Sequence, residues 1–157
     1  MNSDTCDVTS CEVAIVGGGP AGLAAATALA RSLRSVVVVD AGEPRNAPAA
    51  GAHNVLGHEG IAPRDLLAAG RAELAAYGGI LRTDRVRTVT RDDDGFALSL
   101  ASGEQLHARR LILATGLVDE LPDIPGVAAL WGTDVLHCPY CCLLYTSDAA
   151  DDSLRVD

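Results

Sequence analysis

The chain contains no lysine. All twelve basic residues are arginine, set against twenty-one acids for a formal charge of −9. With no basic patch or arginine-rich helix in view, that balance argues against nucleic acid or an anionic membrane surface as partner. The missing lysine, beside abundant Ala and Gly, fits a GC-rich genome and carries no chemistry. Aromatics make up only 3% of 157 residues against 48% apolar overall, enough for one domain with a core and a remnant, and short for two cofactor sites. No apolar run approaches the roughly 18 residues of a membrane span. The polar start, Met1 to Ser10, lacks the basic and apolar regions of a signal peptide. Both absences point to the cytoplasm, where the five cysteines stay reduced unless catalytic. A second cysteine pair at zinc-ribbon spacing is also missing, because Cys6 and Cys11 are too far apart and are expected in a polar tail, so no metal site is expected. No internal repeat is found.

What is present is concentrated between residues 13 and 40. The apolar run Val13-Ala14-Ile15-Val16 leads directly into Gly17-Gly18-Gly19-Pro20-Ala21-Gly22, an alanine-rich stretch follows, and a second apolar run, Val36 to Val39, is closed by Asp40. That order of strand, glycine turn, helix, strand and acid is the pattern of a dinucleotide site. Gly17 permits the tight turn off the strand, Gly19 lets the backbone approach a pyrophosphate, and Gly22 lets the helix pack close to the sheet. The amides of the helix's first turn, at the positive end of its dipole, then face the phosphates. Asp40 lies 18 residues beyond Gly22, where a carboxylate can accept from ribose hydroxyls and repels a 2′-phosphate, so the site suits FAD or NAD rather than NADP. A glycine-rich surface turn would leave Asp40 unexplained.

The spacing predicts a helix over Pro20 to Arg34, with proline tolerated in its first turn, and a long irregular loop over 42 to 62, where Gly42, Pro44, Pro48, Gly51, Gly57 and Gly60 fall. A loop of this length in a compact domain is usually functional. A second helix is expected over Pro63 to Tyr77, stopped by Gly78-Gly79. Short strands follow at Arg85 to Thr90, Phe96 to Leu100 and Gln105 to His107, punctuated by Asp92-Asp93-Asp94-Gly95 and Ser102-Gly103, and read as a small antiparallel meander. A separate apolar strand, Arg110 to Ala114, runs into Thr115-Gly116, and Pro122, Pro125 and Gly126 mark an exposed connection beyond it.

Two further motifs carry chemistry. Leu111-Ile112-Leu113-Ala114-Thr115-Gly116 resembles the Ala-Thr-Gly strand end of flavoproteins with two dinucleotide sites. Cys138-Pro139-Tyr140-Cys141 is a C-x-x-C, whose spacing lets two thiols close a small disulfide ring, while a neighbouring positive group or helix end lowers one thiol's pKa. Half of a zinc site and two inert core cysteines are the alternatives.

With these three motifs in this order the chain resembles the pyridine nucleotide-disulfide oxidoreductases, in the low-molecular-weight, thioredoxin reductase-like branch. The resemblance covers residues 12 to 141. It implies an FAD-binding domain first, a pyridine-nucleotide domain inserted after the Ala-Thr-Gly strand, and the C-x-x-C inside that insertion. Carried over position by position, Gly17, Gly19, Pro20, Ala21 and Gly22 would hold the pyrophosphate and Asp40 the adenosine ribose, where many members have Glu. Asn54 would stand near the flavin, and Ala114, Thr115 and Gly116 would close its site. The resemblance further implies that electrons pass from NAD(P)H through FAD to the Cys138–Cys141 disulfide and on to a small disulfide or a thioredoxin-like protein. A dithiol oxidase runs the thiol step in reverse. Cys141 would be nearer the flavin, Cys138 would attack substrate, and His137 would serve as base or thiolate partner, or be an ordinary hydrogen-bonded histidine. A homodimer is also implied.

The expected fold class is therefore α/β: a Rossmann-like FAD-binding domain with a parallel sheet and a small antiparallel β-meander, incomplete at the C-terminus. Residues 1–11 read as a flexible tail, 12–118 as the FAD-binding domain and 119–141 as the start of the inserted redox domain. Cys142 to Asp157 resembles the translation of a transposon-type sequencing adapter and is expected to be non-native; without it the charge is −6, from eleven Arg and seventeen acids. Such a fragment is expected to be inactive, poorly soluble and weak in holding FAD. Competing readings are another FAD oxidoreductase of monooxygenase type, which has no need of the cysteine pair, and a non-catalytic nucleotide-binding module that uses C-x-x-C as a redox switch. Long-read sequencing of the source locus across codon 141 is expected to continue in frame into a second glycine fingerprint. A genomic stop near codon 157 would instead favour the switch module.

Overall fold

Four consecutive valines with no exposed face belong inside a sheet covered on both sides. Val36 to Val39 are all buried, and they form the second strand of such a sheet. The computed structural model describes residues 9–132 and 134–135. In chain order the elements are β1 (Ser10–Val16), α1 (Pro20–Arg31), β2 (Val36–Asp40), α2 (Pro63–Ala76), β3 (Ile80–Thr83), β4 (Val86–Arg91), β5 (Phe96–Leu100), β6 (Gln105–Leu113) and the short α3 (Val127–Leu130). The described residues fall into two compact units, one made of the residues up to Pro44 with Leu66–Leu117, the other of Arg45–Asp65 with the residues from Val118 on.

The first unit holds one six-stranded sheet in the order β3-β2-β1-β6-β5-β4. β1 pairs in parallel with both β2 and β6, and β2 in parallel with β3, whereas β4, β5 and β6 pair antiparallel. Strand alternation sends Val13, Ile15, Val36 and Val38 to one face, where they pack with Leu23, Ala26 and Ala30 of α1 and with Leu67 and Leu74 of α2. Ala14, Val37 and Val39 go to the other face and share a cluster with Leu98, Leu100, Leu106 and Ala108. The Rossmann-like α/β class expected from the sequence is the one observed.

Several expectations are corrected. Gln105 to His107 and Arg110 to Ala114 are one strand, not two, because β6 pairs with β5 over Gln105 to Ala108 while pairing with β1 from His107 to Leu113. The Arg109-Arg110 pair that interrupts the apolar pattern is simply exposed along it. Ser10 and Cys11 are not tail: they pair with His107 and Ala108, and Cys11 is buried in the second cluster. The meander and the parallel strands are therefore parts of one sheet. β3, four residues between Gly79 and Asp84, was not anticipated, its Ile-Leu-Arg-Thr showing no alternation.

Helix α1 stops three residues before Arg34. The Arg34 amide donates to the Leu29 carbonyl and the Leu33 amide to that of Ala30, a Schellman closure that puts Leu33 in the left-handed position usually given to glycine, at φ +59. Leu33 is 92% exposed, so nothing offsets the strain. Leu33→Gly is expected to raise stability by about 0.5–1 kcal/mol, read as a higher urea midpoint at unchanged slope.

The 42–62 loop is irregular as expected, and its part from Arg45 on belongs to the second unit, where Ala52 bridges Ile61. Glu59 clamps its tip, one carboxylate oxygen 2.7 Å from His53 Nδ1 and the other accepting from the Asn54 amide at 2.9 Å. Arg45 grips Asp119 through two parallel hydrogen bonds. The hydrogen bond with His53, then that from Asn54, hold the Glu59 carboxyl below its usual value. A depressed carboxyl stabilises the folded turn above its unfolded pKa, and that contribution disappears as pH falls through the lower, folded value. The Asn54 amide resonance is thus expected to titrate with a midpoint below the ordinary Glu value of 4.5, and Glu59→Gln should abolish the transition. A midpoint at or above 4.5 would refute the clamp.

Candidate functional site

The carboxyl ends of β1, β2 and β6 lie side by side, with Val16 in register with both Val39 and Leu113. The chain leaves β1 at Gly17, whose amide donates to the Val39 carbonyl at 2.8 Å, and the Ala114 amide donates to the Val16 carbonyl at the same distance. Gly17 adopts φ +105, and a Cβ there would lie 2.2 Å from the Ala114 carbonyl oxygen. At Gly22 a Cβ would fall 1.9 Å from the Gly17 oxygen. Both glycines therefore serve backbone proximity within the protein. Gly19 differs, since among the described residues, its own chain neighbours aside, no atom lies within 4 Å of where its Cβ would be. The space beside it is open.

Gly19 is also the N-cap of α1, in extended conformation and with no side-chain cap, and Pro20 follows as the first helical residue. Proline has no amide, and the amides of Ala21 and Gly22 have no partner inside the helix, as in any first turn. Uncapped donors at the positive end of a helix dipole, facing open space, form a seat for an anionic group.

Asp40 closes β2 beside this seat. Its Oδ1 accepts from the Gly18 amide at 3.0 Å, and its Oδ2 accepts from Arg71 Nη2 of α2 at 3.2 Å. Gly18 is buried, and a Cβ on it would sit 2.8 Å from the Asp40 Cβ and 2.9 Å from its Cγ. The middle glycine is thus dictated by the close approach of β2's last residue, whose Cβ is the nearest atom. A carboxylate offers about four acceptor sites; two are taken, which leaves two for hydroxyl donors. Arg71 Nε is buried without a hydrogen-bond partner.

The remaining candidates divide. Ala114 is half-buried, and Thr115 and Gly116 are exposed, with Gly116 at φ +68. Those three join Gly17, Gly19, Pro20, Ala21, Gly22 and Asp40 in the first unit. Asn54 belongs to the second unit, exposed and at φ +59. His137, Cys138 and Cys141 lie outside the described residues. Arg71 escaped the sequence reading although a signal existed: it follows the core residue Leu67 by four positions and precedes Leu74 by three, a lone charge in the buried stripe of a helix. Among the described residues no cluster of His, Cys, Asp and Glu has the makings of a metal site, and no helix is long and apolar enough to cross a membrane.

Comparison with known proteins bears on this geometry. The family model described as pyridine nucleotide-disulphide oxidoreductase matches residues 11–148. The thioredoxin reductase tcpT of Claviceps purpurea is 42% identical over 131 residues, covering 81% of this chain and 41% of that protein. The crystal structure of HlmI superposes with a TM-score of 0.81 at 48% identity, covering 87% of this chain and 44% of its own. The oxidoreductase from Agrobacterium tumefaciens gives 0.80 at 40% identity, over 85% and 45%. The chain thus spans less than half the length of these relatives. On the family match and these likenesses, the chain belongs to the pyridine nucleotide-disulphide oxidoreductases, in their thioredoxin reductase-like branch.

Proposed function

We propose that this chain is the FAD-binding portion of an NAD(P)H-dependent disulfide oxidoreductase, with residues 12–118 holding the flavin nucleotide and 119–141 opening the redox domain. One observation carries the reading: an acid with two acceptor sites to spare stands beside an uncapped helix N-terminus and an open glycine at the ends of three parallel strands. The residues fit the group. Ala21 and Gly22 would donate to the pyrophosphate, the bare Cα of Gly19 would admit it, and Asp40 would accept from the adenosine ribose. Asn54, Ala114, Thr115 and Gly116 would stand at the flavin end. FAD supplies a two-electron relay between a nicotinamide and a disulfide.

The chain's own part in the thiol step is the pair Cys138 and Cys141. Closing their disulfide releases two electrons and two protons; opening it takes up the same number. Cys141 faces the flavin side in this reading, Cys138 attacks the substrate disulfide as a thiolate, and His137 holds or moves the proton at that sulfur. The substrate is a small disulfide or dithiol compound or a thioredoxin-like protein, and the whole protein works as a cytoplasmic homodimer.

The test uses the purified chain, checked for folding by circular dichroism. It should bind FAD weakly but saturably at one site by fluorescence quenching, Asp40→Asn should weaken binding about tenfold, and peptide mapping after mild oxidation should find a Cys138–Cys141 link with a mass loss of about 2 Da. Absence of any saturable FAD binding, even weak, by the folded chain overturns the cofactor assignment, and failure to form that link overturns the redox one.

A further inference from the structure

We propose that Arg71 is a positioning residue for nucleotide recognition: it fixes the Asp40 carboxylate so that ribose hydroxyls, rather than the phosphates alone, are read at this site. The inference rests on the dinucleotide reading above and adds a residue from α2 to a site otherwise built from the β1-α1-β2 segment.

An aspartate at a strand end has a short arm and two torsions, so by itself it samples several orientations. Here two contacts at opposite oxygens remove that freedom. The Gly18 amide tethers Oδ1 at 3.0 Å from the backbone side, and the Arg71 guanidinium tethers Oδ2 at 3.2 Å from the helix side. The Gly18 tether comes from a rigid turn but fixes one oxygen only, about which the carboxylate still pivots. Arg71 supplies the second point. The side chains are 39% exposed for Arg71 and 18% for Asp40, so the pair is partly withdrawn from water while its remaining acceptor sites stay reachable.

The placement of Arg71 also resists a purely structural explanation. It occupies the stripe of α2 that carries Leu67 and Leu74 into the core, where an alkyl chain would pack without the cost of withdrawing a guanidinium from water. Its Nε is buried and makes no hydrogen bond. A buried donor left unsatisfied costs stability, and what the arrangement gains in return is a carboxylate held at a fixed angle. The cation also offsets the repulsion between Asp40 and the phosphates of a bound nucleotide.

The experiment compares ADP with 2′,3′-dideoxy-ADP on the folded full chain by calorimetric titration; the second probe keeps the phosphates and loses both hydroxyls. One hydroxyl-to-carboxylate hydrogen bond is worth about tenfold in affinity, and the unsubstituted chain should prefer ADP by at least that ratio. Arg71→Met should cut the preference below about threefold chiefly by weakening ADP, while Arg71→Lys, which keeps a cation without the planar fork, should restore part of it. In an Asp40→Asn background, Arg71→Met should change the preference no further. Equal weakening of both nucleotides by Arg71→Met, or an undiminished preference, overturns the proposal while leaving the dinucleotide site standing. A folded chain that binds neither probe overturns the dinucleotide reading and the proposal together. If Arg71→Met does not fold, Arg71→Lys decides, since a preference identical to that of the unsubstituted chain at raised salt would overturn the role of the fork.

Discussion

At the carboxyl end of the central strand three backbone segments approach within distances that admit no side chain. The turn at Gly17 lies against the Ala114 carbonyl, the first turn of α1 lies against the Gly17 carbonyl, and Gly18 lies against Asp40. Each contact replaces a Cβ with another part of the backbone or with the acid, so the turn, the helix start and the two flanking strand ends form one rigid corner. The first unit's candidate nucleotide-binding groups hang from that corner: the uncapped amides, the open face of Gly19, the tethered carboxylate and the Ala114-Thr115-Gly116 exit from β6.

The corner is fixed in turn by how β6 is shared. Its first half is bonded antiparallel to β5 and its second half runs beside β1 to Leu113, so the antiparallel part sets the register of the parallel part. Because side chains alternate, a slip of one residue would exchange the buried Leu106 and Ala108 for the half-buried His107 and exposed Arg109. The buried clusters on the two faces therefore act as a ruler that places Ala114 beside Gly17. The loops that reach beyond the sheet can vary while this alignment stays put.

Much of this was legible in the chain itself, and the reasons differ element by element. The β1-α1-β2 segment was readable because each residue type there has one mechanical use: a positive φ at Gly17, close packing at Gly22, an acceptor at Asp40. The helix α2 was bounded by Pro63 and the Gly78-Gly79 pair through proline and glycine chemistry that acts locally. What escaped depends on partners far away in sequence. Whether Gln105 to Leu113 is one strand or two is decided by β1, almost a hundred residues earlier, and the exposed Arg109-Arg110 pair disguises the answer. Arg71 gave only a position in an apolar stripe, and its meaning needs Asp40 from another element. The role expected of Gly19 rests on a different kind of observation from those of Gly17 and Gly22, because it concerns empty space rather than contact.

Gly18 carries a consequence of its own. Its lack of a side chain answers to the Cβ of the residue across from it, so positions 18 and 40 are coupled: a side chain at one excludes a side chain at the other. Since the nearest atom is the Asp40 Cβ, at 2.8 Å, only a glycine at 40 would remove the wall against which a Cβ at position 18 would collide, and every other replacement keeps it. A side chain introduced at position 18 would displace the residue at 40, and with it the carboxylate. A new ribose preference at this corner therefore has to be made at position 40 with Gly18 kept, and the buried glycine is what imposes that.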